Sequence, residues 1–171
     1  MRLEVRGLLP EPILSLDTFC GLCYTDIMIM KVGITATRKG MSENQKTKFA
    51  SDLRHLIDGG FQIEFHHGDC VGGDAEGDLI ARNLGATIHI HPPVNPKYRA
   101  FCAQPGDVVY PEKPYLDRDR DIVNSVEIMY GGPKNHLVEE FRGSGTWTTI
   151  RYARSQMDIG EGPVALFVLK R

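Results

Sequence analysis

Hydrophobic and polar positions along this chain switch between a strand-like and a helix-like period, and the switches mark its elements. From Ile27 the run "IMIMKVGITA" is apolar and β-rich, the pattern of a buried parallel strand. In "SENQ" Ser42 and Gln45 have the spacing of a capping box. Phe49, Leu53, Leu56 and Ile57 then recur on one helical face, and Gly59 and Gly60 end the helix. "FQIEFH" reads as a second strand running into "GDCVGGDAEGD", where Asp74 is the expected N-cap of a helix that buries Leu79, Ile80 and Leu84 and closes at Gly85. "TIHIH" reads as a third strand. Prolines and aromatics from Pro92 to Leu116 break every period, which predicts a long loop over the site. Beyond it "DRDRDIVNS" reads as a short charged helix and "VEIMYG" as a strand. "TWTTIRYARSQM" reads as a helix with Trp147, Ile150, Ala153 and Met157 toward the core, and "PVALFVLK" as a last strand.

Strands alternating with helices, joined by right-handed crossovers, predict an α/β fold of the three-layer Rossmann-like kind. Its sheet would be mostly parallel, with about five strands and helices on both faces. Ligands of such sheets sit beyond the carboxyl ends of the strands. One core suits 171 residues; residues 1–26, proline-bearing and without a clear period, read as an N-terminal appendage to a domain spanning 27–171.

Composition changes the picture mainly by exclusion. A hydrophobic share of 42%, a charged share of 25% and a net charge of −2 argue against disorder and against a global polyanion-binding field, so any nucleic-acid contact must be local. No apolar run approaches the roughly 18 to 20 residues of a membrane span, and the first 26 residues lack the order of a secretory signal. A cytoplasmic protein with no membrane partner is expected. Cys20, Cys23, Cys70 and Cys102 are too scattered for a disulfide scaffold. "CGLC" has zinc or redox spacing, but no second close pair completes a tetrahedron.

Three strand ends carry unusual chemistry. "GITATRKG" follows the first strand and brings Thr35, Thr37 and Arg38. "HHGDCVGGD" follows the second with Gly68, Asp69, Gly72, Gly73 and Asp74; its glycines allow close backbone approach, and the helix behind it offers amides and a positive dipole end to an anion. "RGSGT" lies in the loop after the fourth, where Gly143 and Gly145 bend the chain and Ser144 and Thr146 add hydroxyls. Arg118 and Arg120 in "DRDRD" could fork onto a phosphate, or belong to a solvated face paired with Asp117, Asp119 and Asp121. His66, His67, Asp69 and Cys70 alternate faces and so do not gather on one ion, and no metal site is assigned. His89 and His91 share a face; they read first as satisfied polar residues, with base recognition or proton transfer as the alternative.

"GITATR", "GDCVGGDAEGDLIARNLG", "RDRDIV" and "GSGTWTTIRYAR", in this order, resemble the SLOG superfamily. This is the Rossmann-like group that holds the Lonely-guy phosphoribohydrolases, the DNA-processing protein A domain and the molybdenum-cofactor carrier proteins. The likeness runs from Lys31 to about Arg171 and looks closest to the bacterial and phage branch with a "G-x-x-x-G-A-D"-like second loop, here with Gly73 in the alanine place. It implies a homo-oligomer. In Lonely-guy enzymes a glutamate implicated in breaking the N-glycosidic bond follows the glycine-threonine turn; here that place holds Thr149, which cannot act as a carboxylate. If the chain is an enzyme of this kind, Asp69, Asp74 or Asp121 must supply the acid. Asp74 is discounted as a cap, and Asp121 is the catalytic candidate.

The leading expectation is therefore a binding protein for a nucleotide or nucleotide-derived small molecule, in a sensor, carrier or storage role. No cofactor is assigned with it, and a bound nucleotide is the one cofactor-like ligand the reading allows. The rival is a hydrolase of nucleoside 5′-monophosphates at the N-glycosidic bond. A third reading, single-stranded nucleic-acid binding, rests only on the modest patch of Lys39, Lys46, Lys48 and Arg54 and is not favoured.

Overall fold

In the computed structural model, residues 27–140 and 142–171 are described, and the appendage 1–26 with Cys20 and Cys23 lies outside them. Strand β1 (Met28–Ala36) takes the centre because its Val32 and Ile34 side chains are fully buried. Helix α1 (Glu43–Asp58) starts at the expected capping box: Ser42 Oγ accepts from the Gln45 amide, and Gln45 Oε1 accepts from the Ser42 amide. Strand β2 (Phe61–His67), helix α2 (Gly73–Asn83) and strand β3 (Thr87–Ile90) follow. After β4 (Val108–Val109), helix α3 (Tyr115–Ser125), strand β5 (Ile128–Gly132), helix α4 (Gly145–Ile159) and strand β6 (Ala165–Val168) complete the order.

All strand pairs are parallel, in the order β4-β3-β2-β1-β5-β6. This is the expected three-layer α/β fold, with six strands where about five were expected. The extra one, β4, lies within the expected 92–116 loop, which also holds a 3-10 turn at Pro96–Tyr98. Two exposed residues have no readable period, so only pairing with His89 and Ile90 of β3 makes them a strand.

Period-two alternation divides the side chains between two cores. Phe49 and Leu53 of α1 and Ala81 of α2 pack with Val32, Ile34, Ile63, Phe65, Ile88 and Ile90 on one face. Ile122, Val123 and Val126 at α3 pack with Met129 and with Ala153 of α4 on the other. Strand order reverses at β1, where the chain steps outward to β2 on one side and β5 pairs on the other, so a crevice opens at their carboxyl ends.

Helix α2 departs from expectation in two ways. Its cap is Gly72, at φ 88°, and Asp74 lies inside the first turn. A Cβ at Gly72 would stand 2.5 Å from the Arg38 carbonyl oxygen, so the close passage of two loops sets the helix start. Leu79 is 60% exposed, whereas Gly73, Gly77 and Ala81 face inward. At Gly77 a Cβ would already lie 3.2 Å from the Phe65 ring, so small residues let this helix press onto the sheet and turn Leu79 outward.

Gly68, at the end of β2, makes room for Arg118 of α3: a Cβ there would lie 1.7 Å from the guanidinium Nη1. Gly68→Ala should therefore expel a buried cation from its acceptors and lower stability by about 3 kcal/mol in urea unfolding. A loss below about 1 kcal/mol would mean that the guanidinium relocates freely.

Candidate functional site

A cleft of about 640 Å³ occupies the crevice at the ends of β1 and β5. Thr35, Thr37 and Arg38 line it from the first loop, Asp74 and Arg118 from its base, and Gly143, Ser144, Gly145 and Thr146 from the third loop. These sequence-predicted residues are thus brought together. Gly68, Asp69, Gly72, Gly73, Arg120 and Asp121 are not among its walls.

The second loop uses its polar groups within the protein. The Gly73 amide donates to the Thr37 carbonyl at 3.0 Å, the Val71 amide to the Tyr98 carbonyl at 2.8 Å, and the Asp69 amide to His67 Nδ1 at 3.1 Å. Asp69 is fully buried at φ 55°; its carboxylate accepts from Arg99 Nε at 2.6 Å and the Cys102 amide at 2.8 Å. It anchors the 92–116 segment and has no oxygen turned to the cleft. A Cβ on Gly73 would lie 2.2 Å from the Ala36 Cβ, so this glycine serves loop packing. Asp74 brings a carboxylate to the α2 N-terminus, accepting from the Cys70 amide at 3.4 Å and satisfying the dipole end from within the chain.

Helix α3 sorts the "DRDRD" charges by its turn of about 100° per residue. Arg118 is 5% exposed. Its Nη1 donates to the Gly68 carbonyl and lies 4.0 Å from Asp74 Oδ2, while its Nη2 lies 3.0 Å from Asp119 Oδ1 and 3.6 Å from Cys70 Sγ. Burial opposes its charge, but Asp119 and Asp74 outweigh that and raise its pKa. Two residues on, Arg120 points to solvent beside Asp117 at 3.5 Å and over the Tyr152 ring. Asp121 pairs with Lys113 at 2.6 Å outside the cleft, and the carboxylate that this helix brings to the cleft belongs to a neighbour.

That neighbour is Asp119, which lines the cleft. Its Oδ2 accepts from the Thr149 hydroxyl at 3.0 Å, so the position expected to lack a carboxylate receives one from α3. Burial pushes the Asp119 carboxyl above its ordinary range against the pull of Arg118, and burial does the same to Asp74. Cys70 also lines the cleft, but burial lifts its thiol to about 11, so it is not a thiolate nucleophile near neutrality.

Helix α4 turns its N-terminus toward the cleft. Gly143 at φ 75° turns the chain, and Ser144 caps the helix by accepting the Trp147 amide at 3.3 Å. First-turn amides have no intrahelical acceptor. Among the described residues nothing accepts from the Gly145 and Thr146 amides, and both residues line the cleft. Lys39, expected only in a surface cationic patch, and Lys134, not anticipated from the pattern, add cationic walls with Arg38, whose guanidinium lies 4.0 Å from the Tyr98 ring centre. Trp147 packs in the interior, 3% exposed, and is not a cleft wall. His89 and His91 also lie outside the cleft, beside His66 on the opposite half of the sheet.

One signal could have singled out Asp119. Arg118, Asp119, Ile122 and Val123 fall on one helical stripe, so the two apolar residues mark which charges turn inward. No sequence signal identified Lys134, which follows β5 and reaches the cleft only through the fold.

No family model and no curated protein matches this sequence. Solved structures do share its architecture. A molybdenum cofactor binding protein from the phototrophic bacterium Rippkaea orientalis superposes with a TM-score of 0.55 at 12% identity, over 86% of this chain and 78% of that one. The Moco carrier protein from Chlamydomonas reinhardtii gives 0.50 at 16%, over 81% and 88%. The protein TM1055 gives 0.50 at 14%, over 79% and 77%. At these identities the likeness establishes the Rossmann-like fold that the SLOG resemblance implied.

Proposed function

We propose that this protein binds a nucleotide or a nucleotide-derived, phosphate-bearing small molecule in the cleft between the first loop and helix α4, in a sensor, carrier or storage role. The observation that carries the reading is the pair of amides at Gly145 and Thr146, which find no acceptor among the described residues, at the positive end of a 15-residue helix. Arg38, Lys39 and Lys134 supply compensating charge around them. Arg118 is committed to internal acceptors and orients the cleft floor without serving as a phosphate clamp. A carrier-like role agrees with the molybdenum cofactor binding and carrier proteins among its structural neighbours.

A second reading, hydrolysis of a nucleoside 5′-monophosphate at its N-glycosidic bond, is favoured by one contact, Asp119 on Thr149. Water would add at the sugar carbon and the base would leave with a proton. A carboxyl held above its usual range suits proton donation to that base.

The amide contact can be removed with little change to the fold. Gly145 is the first helical residue, where proline is tolerated, and Ser144 before it is extended at φ −112° and ψ 105°. Gly145→Pro should weaken binding of a nucleoside monophosphate about tenfold or more by calorimetry, with the melting temperature little changed. Unchanged affinity would remove the α4 amides from the site.

Steady release of free base from nucleoside monophosphates, followed by chromatography, would select the hydrolase reading. Asp119→Asn should then abolish release while Asp121→Asn leaves it intact. Tight binding without base release leaves the carrier reading in place.

A further inference from the structure

Away from the cleft, β2 and β3 bring together a second set of polar groups on the face shared with α3 and α4. Glu64 and His66 are two apart on β2, so they point the same way, and His66 is the direct in-register partner of His89 on β3. One ligand atom from each of Glu64, His66 and His89 lies within 4.8 Å of the other two. We propose that these three residues form a binding site for a divalent transition-metal ion of the zinc class.

Beyond proximity, the arrangement of ring nitrogens supports the site. His66 is 2% exposed, and its Nε2 is buried with no hydrogen-bond partner, an uncommon state for an interior nitrogen. Its other nitrogen, Nδ1, lies 3.0 Å from His91 Nε2. When Nδ1–H donates to His91, Nε2 keeps its lone pair for a metal. His89 repeats the pattern: its Nδ1 lies 3.0 Å from the Tyr110 hydroxyl, which leaves Nε2 as ligand. Holding a ligand ring through its second nitrogen is how proteins fix the tautomer and aim of a metal-binding histidine.

The donor set agrees with this assignment. Lys31 is in register with Glu64 on β1, but no ion pair joins them. Two imidazoles and a carboxylate suit zinc with one open position, whereas magnesium and calcium prefer all-oxygen shells. A closed tetrahedron around an ion at about 2.1 Å has edges of roughly 3.4 Å, so the side chains would draw together on loading. The ion would fasten β2 to β3 across the His66–His89 pair.

The test uses the full chain, freed of metal with a chelator and titrated with Zn2+ against a chromophoric competitor. One equivalent should bind, with an affinity that falls at least about tenfold in both Glu64→Gln and His89→Ala. Zn2+ should also raise the melting temperature of the parent protein and leave that of Glu64→Gln unchanged. Glu64→Gln is nearly isosteric and half-buried, so it reports on the carboxylate rather than on folding. Absence of stoichiometric binding would overturn the proposal. So would binding unchanged in both variants, or binding that they retain and a Cys20→Ser, Cys23→Ser double variant loses.

Discussion

Arg118 carries a permanent positive charge into the interior between the end of β2 and helix α3, and the geometry of the cleft follows from how that charge is matched. The Gly68 carbonyl, the Cys70 sulfur and the carboxylates of Asp74 and Asp119 surround it. A buried cation with these partners is stable, whereas one with a partner removed leaves an uncompensated charge. Gly68 must lack a side chain, Asp74 must turn inward from the α2 terminus, and Asp119 must face the cleft floor. Two segments distant in sequence, 68–74 and 118–119, are thereby held in one arrangement.

That arrangement separates the two glycine-rich turns. Around Gly72 and Gly73 the chain is packed against the first loop, and the Gly73 amide is held by the Thr37 carbonyl. Around Gly145 the capping serine takes the third amide of the helix and leaves earlier ones to the cleft. Similar composition thus serves internal packing in one loop and lines the cleft in the other. The distinction is whether a neighbouring segment supplies carbonyl acceptors.

The same logic explains the histidines. His67 faces α2 and lies 3.1 Å from Asp78, while His66, its neighbour, faces the other side and meets His89 and His91. One residue of register decides whether an imidazole joins a helix carboxylate or a cross-strand cluster.

The sequence by itself determined the alternation of strands and helices apart from β4, the parallel α/β class and the capping box of α1. Each of these depends on side-chain periodicity or on hydrogen bonds between residues a few positions apart. The inward turn of Asp119 was missed, although its stripe with Ile122 and Val123 carried the signal. Tertiary structure alone decided that Asp69 would anchor the 92–116 segment, that Asp121 would pair with Lys113 outside the cleft, that two valines would become β4, and that Lys134 would reach the cleft. It also decided that Glu64 and His66 would face His89. These outcomes depend on strand register and helix packing, which bring together groups far apart in the chain and are settled only when the whole core is buried.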